Sequence, residues 1–519
     1  MGRRFLLRVS GGARFCQLEV DMRYLVNSRE MKIYDTNTTE VFGLPSLLLM
    51  ERAAVAVCEE LQRNVLLEKQ SVLVVCGTGN NGGDGLAIGR MLKLSGIETD
   101  IVLIGDAKKA TEQNKKQQEI LKAYSYEIGT ELSENHSYTM IIDALFGVGL
   151  SRAIDGRYRE LIQKLNEMDA YRVAIDIPSG VSADNGNVLG IAFCADKTIT
   201  FAYDKVGMHL WPGNEYTGEI VVKEIGINER SFLDRKPAVT ALEDVDLNLL
   251  PTRPSHSNKG TFGKLLVIAG SVNMAGAAYL CGKAAYTSGC GLVRIYTPEE
   301  NRTVIQTNLP EAILTTYSAK KPDLAELSEA MKWADVILCG PGIGMMDAAK
   351  QLVKTVIKNA AVPVIFDADA LNIIAEDTAI LLKPHTEMVV TPHLGEMGRL
   401  TKDSVSYIQT KLIESAEEFA RQYNVICVLK DERTVVSIPY GQTYLNLSGN
   451  SGMATAGSGD VLAGIIGGLM AQGLSGEIAT PLAAYLHGRA GDCILKETGR
   501  YGMMASDLIE GLKKVTAGR

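Results

Sequence analysis

The chain has 519 residues, enough for two domains rather than one, and its 46% hydrophobic and 22% charged residues are those of a soluble globular protein. A formal net charge of -8 argues against a nucleic-acid binder. The nine cysteines, at positions 16, 58, 76, 194, 281, 290, 339, 427 and 493, form no C-x-x-C pair and read as free thiols of a reducing, cytoplasmic compartment.

Residues 1–20 carry Arg3, Arg4, Arg8 and Arg14 against the single acid Glu19. The segment reads either as transit-like or, preferred here, as a disordered extension with Met22 as the natural start. Ser28 is the expected N-cap of a first helix, and Pro45-Ser46 opens a second that runs to about Leu61. Short Val- and Ile-rich runs then alternate with helical stretches. Residues 72–76, 101–105, 140–146, 173–177, 198–203 and 220–225 are the expected strands of a parallel sheet buried on both faces. That alternation implies a doubly wound α/β domain over residues 22–228.

Between Asn228 and Phe262 the pattern breaks: Pro237, Pro251 and Pro254 sit among polar residues, as in a linker or crossover. A second alternating series places strands at 265–269, 292–296, 312–316, 336–339, 364–366, 388–390 and 426–429, with a β-hairpin from 435–438 and 443–445 around Tyr440-Gly441. The chain ends in helices from Asp460 to Lys514, so residues 229–519 form a second α/β domain. No apolar stretch is long enough for a membrane span; the longest, 461–471, is short and Gly-rich.

Two glycine-rich loops carry the chemistry. Cys76-Gly77-Thr78-Gly79-Asn80-Asn81-Gly82-Gly83-Asp84-Gly85 joins a strand to a helix, where free N–H groups and the helix dipole favour an anion. Gly77-x-Gly79-x-x-Gly82 alone is a weak dinucleotide fingerprint. A hydride-transferring domain would add an acid after its second strand, and Asp106 stands there, but Asn80, Asn81 and Asp84 supply oxygens that a plain pyrophosphate turn does not need. The next strand ends are polar as well: Asp143-Ala-Leu-Phe-Gly147-Val148-Gly149-Leu150-Ser151-Arg152-Ala153 and Asp176-Ile-Pro-Ser179-Gly180. Each alone is accounted for by an Asx-turn or a helix cap. Together, at converging strand ends, Asn81, Asp143 and Ser179 offer hard oxygens to an alkali or alkaline-earth cation.

These three stretches resemble the N-terminal YjeF family, the NAD(P)HX epimerases. The resemblance implies a potassium site at Asn81, Asp143 and Ser179. It implies hydrated-nicotinamide nucleotide binding by Asn80, Asn81, Gly82, Gly83 and Asp84, by Gly147 to Ala153, and by Asp176, with Asp176 the candidate acid/base group.

The second loop, Gly452-Met-Ala-Thr455-Ala456-Gly457-Ser458-Gly459-Asp460, also opens a helix. Asp460 at that N-terminus suits a base that takes a proton from a hydroxyl attacking a phosphoryl group, and the helix dipole is expected to depress its pKa. Other strand ends carry Pro341-Gly-Ile-Gly344, Asp367-Ala-Asp369, Thr391-Pro-His393-Leu-Gly-Glu396 and Lys430-Asp431-Glu432-Arg433-Thr434. His385 and His487 read as structural. With Gly276-Ala277-Ala278 and Ala505-Ser-Asp-Leu508 these pieces resemble the ADP/ATP-dependent NAD(P)HX dehydratases, whose fold is ribokinase-like. The resemblance implies nucleotide binding by Lys430, Asp431, Glu432, Arg433 and Thr434 and by Asn450, Gly452, Thr455, Ala456, Gly457, Ser458 and Gly459. It implies substrate contacts at Ala277, Gly344, His393 and Asp460. One departure is Asp431, where a Gly is expected after the lysine.

Taken together, the resemblance implies a bifunctional enzyme acting on NADHX and NADPHX with K⁺, Mg²⁺ and ADP or ATP, as a homo-oligomer. The first domain would interconvert R and S hydrates. The second would phosphorylate the S form and release AMP and phosphate when ADP is the donor. The alternative is a ribokinase-like vitamin or sugar kinase fused to a nucleotide-binding regulatory domain.

Overall fold

A computed structural model describes residues 3–8, 15–20, 23–64, 66–133, 136–382 and 386–518. His385 and the rest of the segment before Arg23 lie outside the described residues. Within that segment Arg3–Arg8 and Phe15–Val20 pair as antiparallel strands, Arg3 opposite Val20. Residues Tyr24–Val239 form one compact unit and Thr240–Arg519 the body of the other.

In the first unit six strands, β1 Ser71–Cys76, β2 Glu98–Leu103, β3 Met140–Ala144, β4 Tyr171–Ile175, β5 Lys197–Phe201 and β6 Glu219–Lys223, make one sheet. Their order is β6-β5-β4-β3-β1-β2, and every pairing is parallel. Leu73, Val75, Ile141, Ile142, Val173 and Ile199 are fully buried, as strands covered on both faces require. Burial of each such side chain stabilises by about 1.5–3 kcal/mol.

Several boundaries shift by one to three residues from the sequence expectation, two of them for a definite reason. The first helix, α1 Ser28–Thr36, is capped by Asn27, not Ser28: Asn27 accepts from the Glu30 N–H while Glu30 reaches back to the Asn27 N–H. Ser28 instead bonds Asp184 through both its N–H and its hydroxyl. Strand β2 begins three residues before the expected position, at Glu98, because its polar first half is exposed on one face and shows no apolar run. Helices α2 Ser46–Asn64, α3 Asn80–Leu94, α4 Glu112–Ala123 and α5 Gly156–Glu167 complete the unit. Gly85 lets α3 lie close on the sheet, since a Cβ there would stand 2.5 Å from the Ala144 Cβ.

In the second unit the strands are β7 Lys264–Ile268, β8 Leu292–Pro298, β9 Ile313–Tyr317, β10 Val336–Cys339, β11 Val364–Phe366, β12 Met388–Val390, β13 Ile426–Leu429, β14 Val435–Ser437 and β15 Thr443–Leu445. They run in the order β9-β8-β7-β10-β11-β12-β13-β14-β15. The pairs from β9 to β13 are parallel, and the expected hairpin β14–β15 closes the series antiparallel. Helices α6 Ala275–Thr287, α7 Leu394–Thr401, α8 Ser458–Ala471, α9 Gly476–Thr498 and α10 Ala505–Thr516 are those that build its site or its core. Every residue of α8 from Val461 to Ala471 is buried, which explains an apolar stretch that is not a membrane span. Among the described residues no helix is long and apolar enough to cross a membrane. The fold class is therefore the expected one, two doubly wound α/β units.

Candidate active sites

The first glycine loop leaves β1 at Gly77 and becomes α3 at Asn80. Sterics dictate its glycines: a Cβ on Gly77 would lie 2.0 Å from the Leu145 carbonyl oxygen, and one on Gly82 would lie 1.8 Å from the Gly77 oxygen. The loop carbonyls are tied to α4. Asn114, fully buried, donates to the oxygens of Gly77 at 3.0 Å and Gly79 at 2.9 Å, and the Thr111 N–H donates to Thr78. The free N–H groups of the first turn of α3 remain on the ligand side. Gly82→Ala is expected to lower the unfolding midpoint of this unit, at a cost of about 1–3 kcal/mol for overpacking, and to abolish epimerisation alone.

The strand ends converge as expected. Asp143, at the end of β3, is fully buried. Its Oδ1 accepts from the Ser179 hydroxyl at 2.7 Å and the Leu145 N–H at 3.1 Å, and its Oδ2 from the Ser179 N–H at 2.8 Å. Burial still pushes this carboxyl up to about 6, against those hydrogen bonds. The Ser179 hydroxyl oxygen accepts from the Phe146 N–H at 2.9 Å, which ties the loop opening at Gly147 to the same point. Gly147 lies against Asn81, whose side-chain oxygen and nitrogen are both buried without a hydrogen-bond partner. A buried amide without partners signals a missing ligand, and the set holds one carboxylate among neutral oxygens. Asp106, by contrast, only caps its own turn, accepting from the Lys108 N–H at 3.0 Å.

Asp176 follows β4 in the left-handed region, φ 66°, a strained position for a residue with a Cβ. Two residues that sequence reasoning missed hold it. Lys205, fully buried, places its ammonium 2.6 Å from Asp176 Oδ1, and the Thr200 hydroxyl donates to the same oxygen at 3.2 Å. The ammonium also donates to Thr200 Oγ1 at 2.7 Å and the Phe201 oxygen at 3.0 Å. Burial, with the carboxylates of Asp176 and Asp35, holds Asp84 well above the usual carboxylate range. Between Gly147 and Ala153 the loop stays largely on the surface, with Gly149, Ser151, Arg152 and Ala153 exposed.

In the second unit Gly457, at φ 89°, caps α8, so the first-turn N–H groups of that helix face the loop. Asp460 sits in this first turn. The expectation that the helix N-terminus depresses its pKa is wrong: the carboxyl rises to about 7. Burial is the largest cause, the Asp367 and Asp369 carboxylates add to it, and Lys430 only partly offsets them. Asp367, at the end of β11 and 1% exposed, accepts from the Lys430 ammonium at 2.8 Å and the Thr391 hydroxyl at 2.6 Å. A Cβ on Gly459 would stand 3.2 Å from the Lys430 Nζ, so that ammonium faces the first turn of α8.

The expected substrate contacts gather around this centre. The Gly344 N–H donates to Asp369 Oδ2 at 2.8 Å. Ala277, in the first turn of α6, lies against Gly342. His393 caps α7 through Nδ1, which accepts from the Gly395 N–H at 2.9 Å and the Glu396 N–H at 3.3 Å. Desolvation, then Lys430 and Arg399, lowers its pKa, which keeps the ring neutral. Nucleotide-loop residues are tethered from behind. Asp492 accepts from the Gly449 N–H and the Asn450 amide, both at 3.0 Å, and Arg433 donates to the Leu447 oxygen at 2.7 Å. His487, read from sequence as structural, lies 3.3 Å from the Ser458 hydroxyl under this loop, and burial drives its pKa down to about 4. Its flanking Gly488 and Gly491 are packing glycines, as read: a Cβ at either would strike Ser448 or Met453.

Two α/β units, each with a glycine loop opening a buried helix beside carboxylates at the carboxyl end of a parallel sheet, define a nucleotide-handling enzyme with two centres. Residues 46–207 match the family described as YjeF-related protein N-terminus, and residues 265–514 match the NAD(P)H-hydrate dehydratase family. The bifunctional NAD(P)H-hydrate repair enzyme Nnr of Moorella thermoacetica is 36% identical, covering 95% of this chain and 96% of its own. That of Escherichia coli is 35% identical, covering 93% and 92%. Among solved structures, an ADP/ATP-dependent NAD(P)H-hydrate dehydratase from Bacillus subtilis, co-crystallised with ATP and Mg²⁺, covers 53% of this chain and 96% of its own at 32% identity and a TM-score of 0.47. The chain belongs to the bifunctional NAD(P)H-hydrate repair enzyme family. A match across both units sets aside the alternative of a vitamin or sugar kinase with a regulatory domain.

Proposed function

We propose that the first unit interconverts the R and S hydrates of NADH and NADPH and that the second dehydrates the S form at the expense of ADP or ATP. The observation that carries this reading is Asp460: a carboxyl titrating at about 7 in the first turn of a helix whose free N–H groups suit phosphate. The C6 hydroxyl of the hydrate loses its proton to Asp460 as its oxygen bonds to the terminal phosphorus of the donor. The phosphoanhydride bond breaks, and AMP leaves if the donor is ADP. The C6–O bond then breaks with its electron pair on phosphate, the C5 proton departs, and the ring double bond re-forms. Phosphate is a far better leaving group than hydroxide. His393, Gly344 and Ala277 line the approach of the hydrate, and the segment from Asn450 to Gly459, with Lys430 to Thr434, holds the donor. Mg²⁺, bound with the donor, would neutralise charge on its phosphates.

In the first unit Asp176 serves as the acid/base group at the C6 centre, and the segments from Asn80 to Asp84 and Gly147 to Ala153 bind the nucleotide. The chemistry of Asn81, Asp143 and Ser179 fits K⁺: a buried amide without partners, one carboxylate and a hydroxyl suit a large monovalent ion better than a divalent one. Bound there, K⁺ would brace three strand ends. Replacing K⁺ with tetramethylammonium at equal ionic strength is expected to slow epimerisation, and Asp143→Ala to mimic that loss, while dehydration of pure S hydrate by the variant is unchanged. Equal epimerisation rates in all three conditions would reduce these residues to turn-formers. The free cysteines fit a reducing, cytoplasmic compartment. The primary test is incubation with a purified hydrate mixture and Mg²⁺, with ADP or ATP in turn, following recovery of absorbance at 340 nm (the reduced nicotinamide band). No recovery with either donor would refute the dehydratase assignment.

A further inference from the structure

Lys430 carries a largely covered ammonium, its side chain 19% exposed, beside the N-terminal end of a helix. Its Nζ lies 2.8 Å from Asp367 Oδ1, the one hydrogen bond its ammonium makes among the described residues, and it faces the first turn of α8 at Gly459. An ammonium carries three donors. Two are therefore left for a further acceptor, on an ammonium that stands beside the first turn of α8. The Asp367, Glu396 and Asp460 carboxylates keep this ammonium charged, and the helix N-terminus beside it, like the ammonium itself, attracts an anion. An anion between the two satisfies both. The backbone fixes the lysine as well: its N–H donates to the Pro392 oxygen at 2.8 Å, so the ammonium cannot follow a mobile loop.

Resting on the dehydratase reading above, we propose that Lys430 is a catalytic residue of the phosphoryl-transfer step: its ammonium, anchored by Asp367, contacts the phosphoryl group in flight between donor and substrate hydroxyl, and then the phosphate as it leaves C6. This is a different role from holding the base or ribose of the nucleotide. In the transfer, the phosphoanhydride P–O bond breaks, the new O–P bond forms at C6, and the hydroxyl proton goes to Asp460. Lys430 exchanges no proton; it balances the charge on the equatorial oxygens and on the departing phosphate. Asp367 is then a positioning residue that holds the ammonium. The Lys430 charge also lowers the Asp460 carboxyl, so the cation on the phosphoryl group and the base on the hydroxyl are electrostatically coupled.

The test uses the full chain with S hydrate, Mg²⁺ and donor. Lys430→Met is expected to lower kcat by about 10²-fold or more, with the KM for donor changed less than about threefold. Lys430→Arg should recover part of the loss. The acid limb of the pH–rate profile should move upward in Lys430→Met, because the cation that favours ionised Asp460 is gone. Since that variant leaves Asp367 buried without its partner, the double change Lys430→Met with Asp367→Asn removes both charges and should show the same kcat loss in a folded protein. Epimerase activity of the same preparations reports that the chain is otherwise intact. An unchanged kcat, or an unchanged kcat with a donor KM raised tenfold or more, overturns the proposal and leaves Lys430 as a binding residue. If the unsubstituted chain fails to dehydrate S hydrate with either donor, it is the dehydratase reading that falls, not this assignment alone.

Discussion

Asp460→Asn is expected to reduce dehydration by at least ~10²-fold, the contribution of a general base, while epimerisation continues at its normal rate. The substitution keeps the volume and removes only the carboxylate. The pH dependence makes the role specific. The base must be ionised, and burial with Asp367 holds its carboxyl at about 7. In the unsubstituted enzyme kcat/KM therefore falls about tenfold per pH unit below that value, and the Asn variant loses this limb. Stability moves the other way. Between the ordinary carboxyl value of 3.8 and about 7 the folded chain binds more protons at Asp460 than the unfolded chain does. Its stability therefore falls as pH rises through that window and stays lower above it. Asp460→Asn should accordingly be the more stable protein at pH 8 and the less active one. Near-normal turnover, or an unchanged acid limb, would rule out Asp460 as the base.

The positions of both centres were legible in the sequence for one physical reason. A parallel sheet buried on both faces writes continuous Val and Ile runs, and a polar residue straight after such a run marks the carboxyl end where ligands bind. Asn81, Asp143, Ser179 and Asp367 follow such runs, Asp460 opens an apolar helix, and the structure gathers them in two groups, one in each unit. What escaped was everything that arrives from a strand whose neighbours the sequence does not name. Lys205 reaches Asp176 from 29 residues away, and Thr200 lies beside it only because Ile175 pairs with Ile199 in register. Strand order is a tertiary fact, so no local pattern announces this pair. Asn114 is equally silent: its side chain serves the carbonyls of Gly77 and Gly79 from the first turn of a polar helix. The Asp460 error has the same origin. The helix N-terminus is local and visible, whereas Asp367 and Asp369 come from strand β11, far upstream, and their charge with burial outweighs the dipole. The N-cap of α1 differs by one residue for a smaller reason. Asn and Ser are near-equal caps, and Ser28 is drawn off by Asp184.

The strongest expected effect in the first unit follows from how Asp176 is held. Among the described residues the hydrogen bonds to its carboxylate all fall on Oδ1, from Lys205 at 2.6 Å, Thr200 at 3.2 Å and the Phe201 N–H at 3.5 Å, so Oδ2 is the oxygen presented to a substrate. Three donors on Lys205 are all taken, by Asp176, Thr200 and the Phe201 oxygen, which fixes the carboxylate in its left-handed position rather than leaving it to swing. With R hydrate alone supplied, Asp176→Ala should slow repair to the spontaneous epimerisation rate, while S hydrate is still dehydrated normally. That variant also strands a buried cation, and breaking such a pair costs about 3–5 kcal/mol, so loss of activity in it has a structural explanation as well. Asp176→Asn separates the two. The amide oxygen keeps an acceptor for Lys205 and Thr200, while the proton-accepting carboxylate is gone. Epimerisation should fall by ~10²-fold or more in both variants, with the unfolding midpoint lowered chiefly in the Ala form. If the Asn variant consumes R hydrate as fast as the unsubstituted enzyme, proton transfer at C6 belongs to another group, and the Lys205–Asp176 pair is only a brace for the loop after β4.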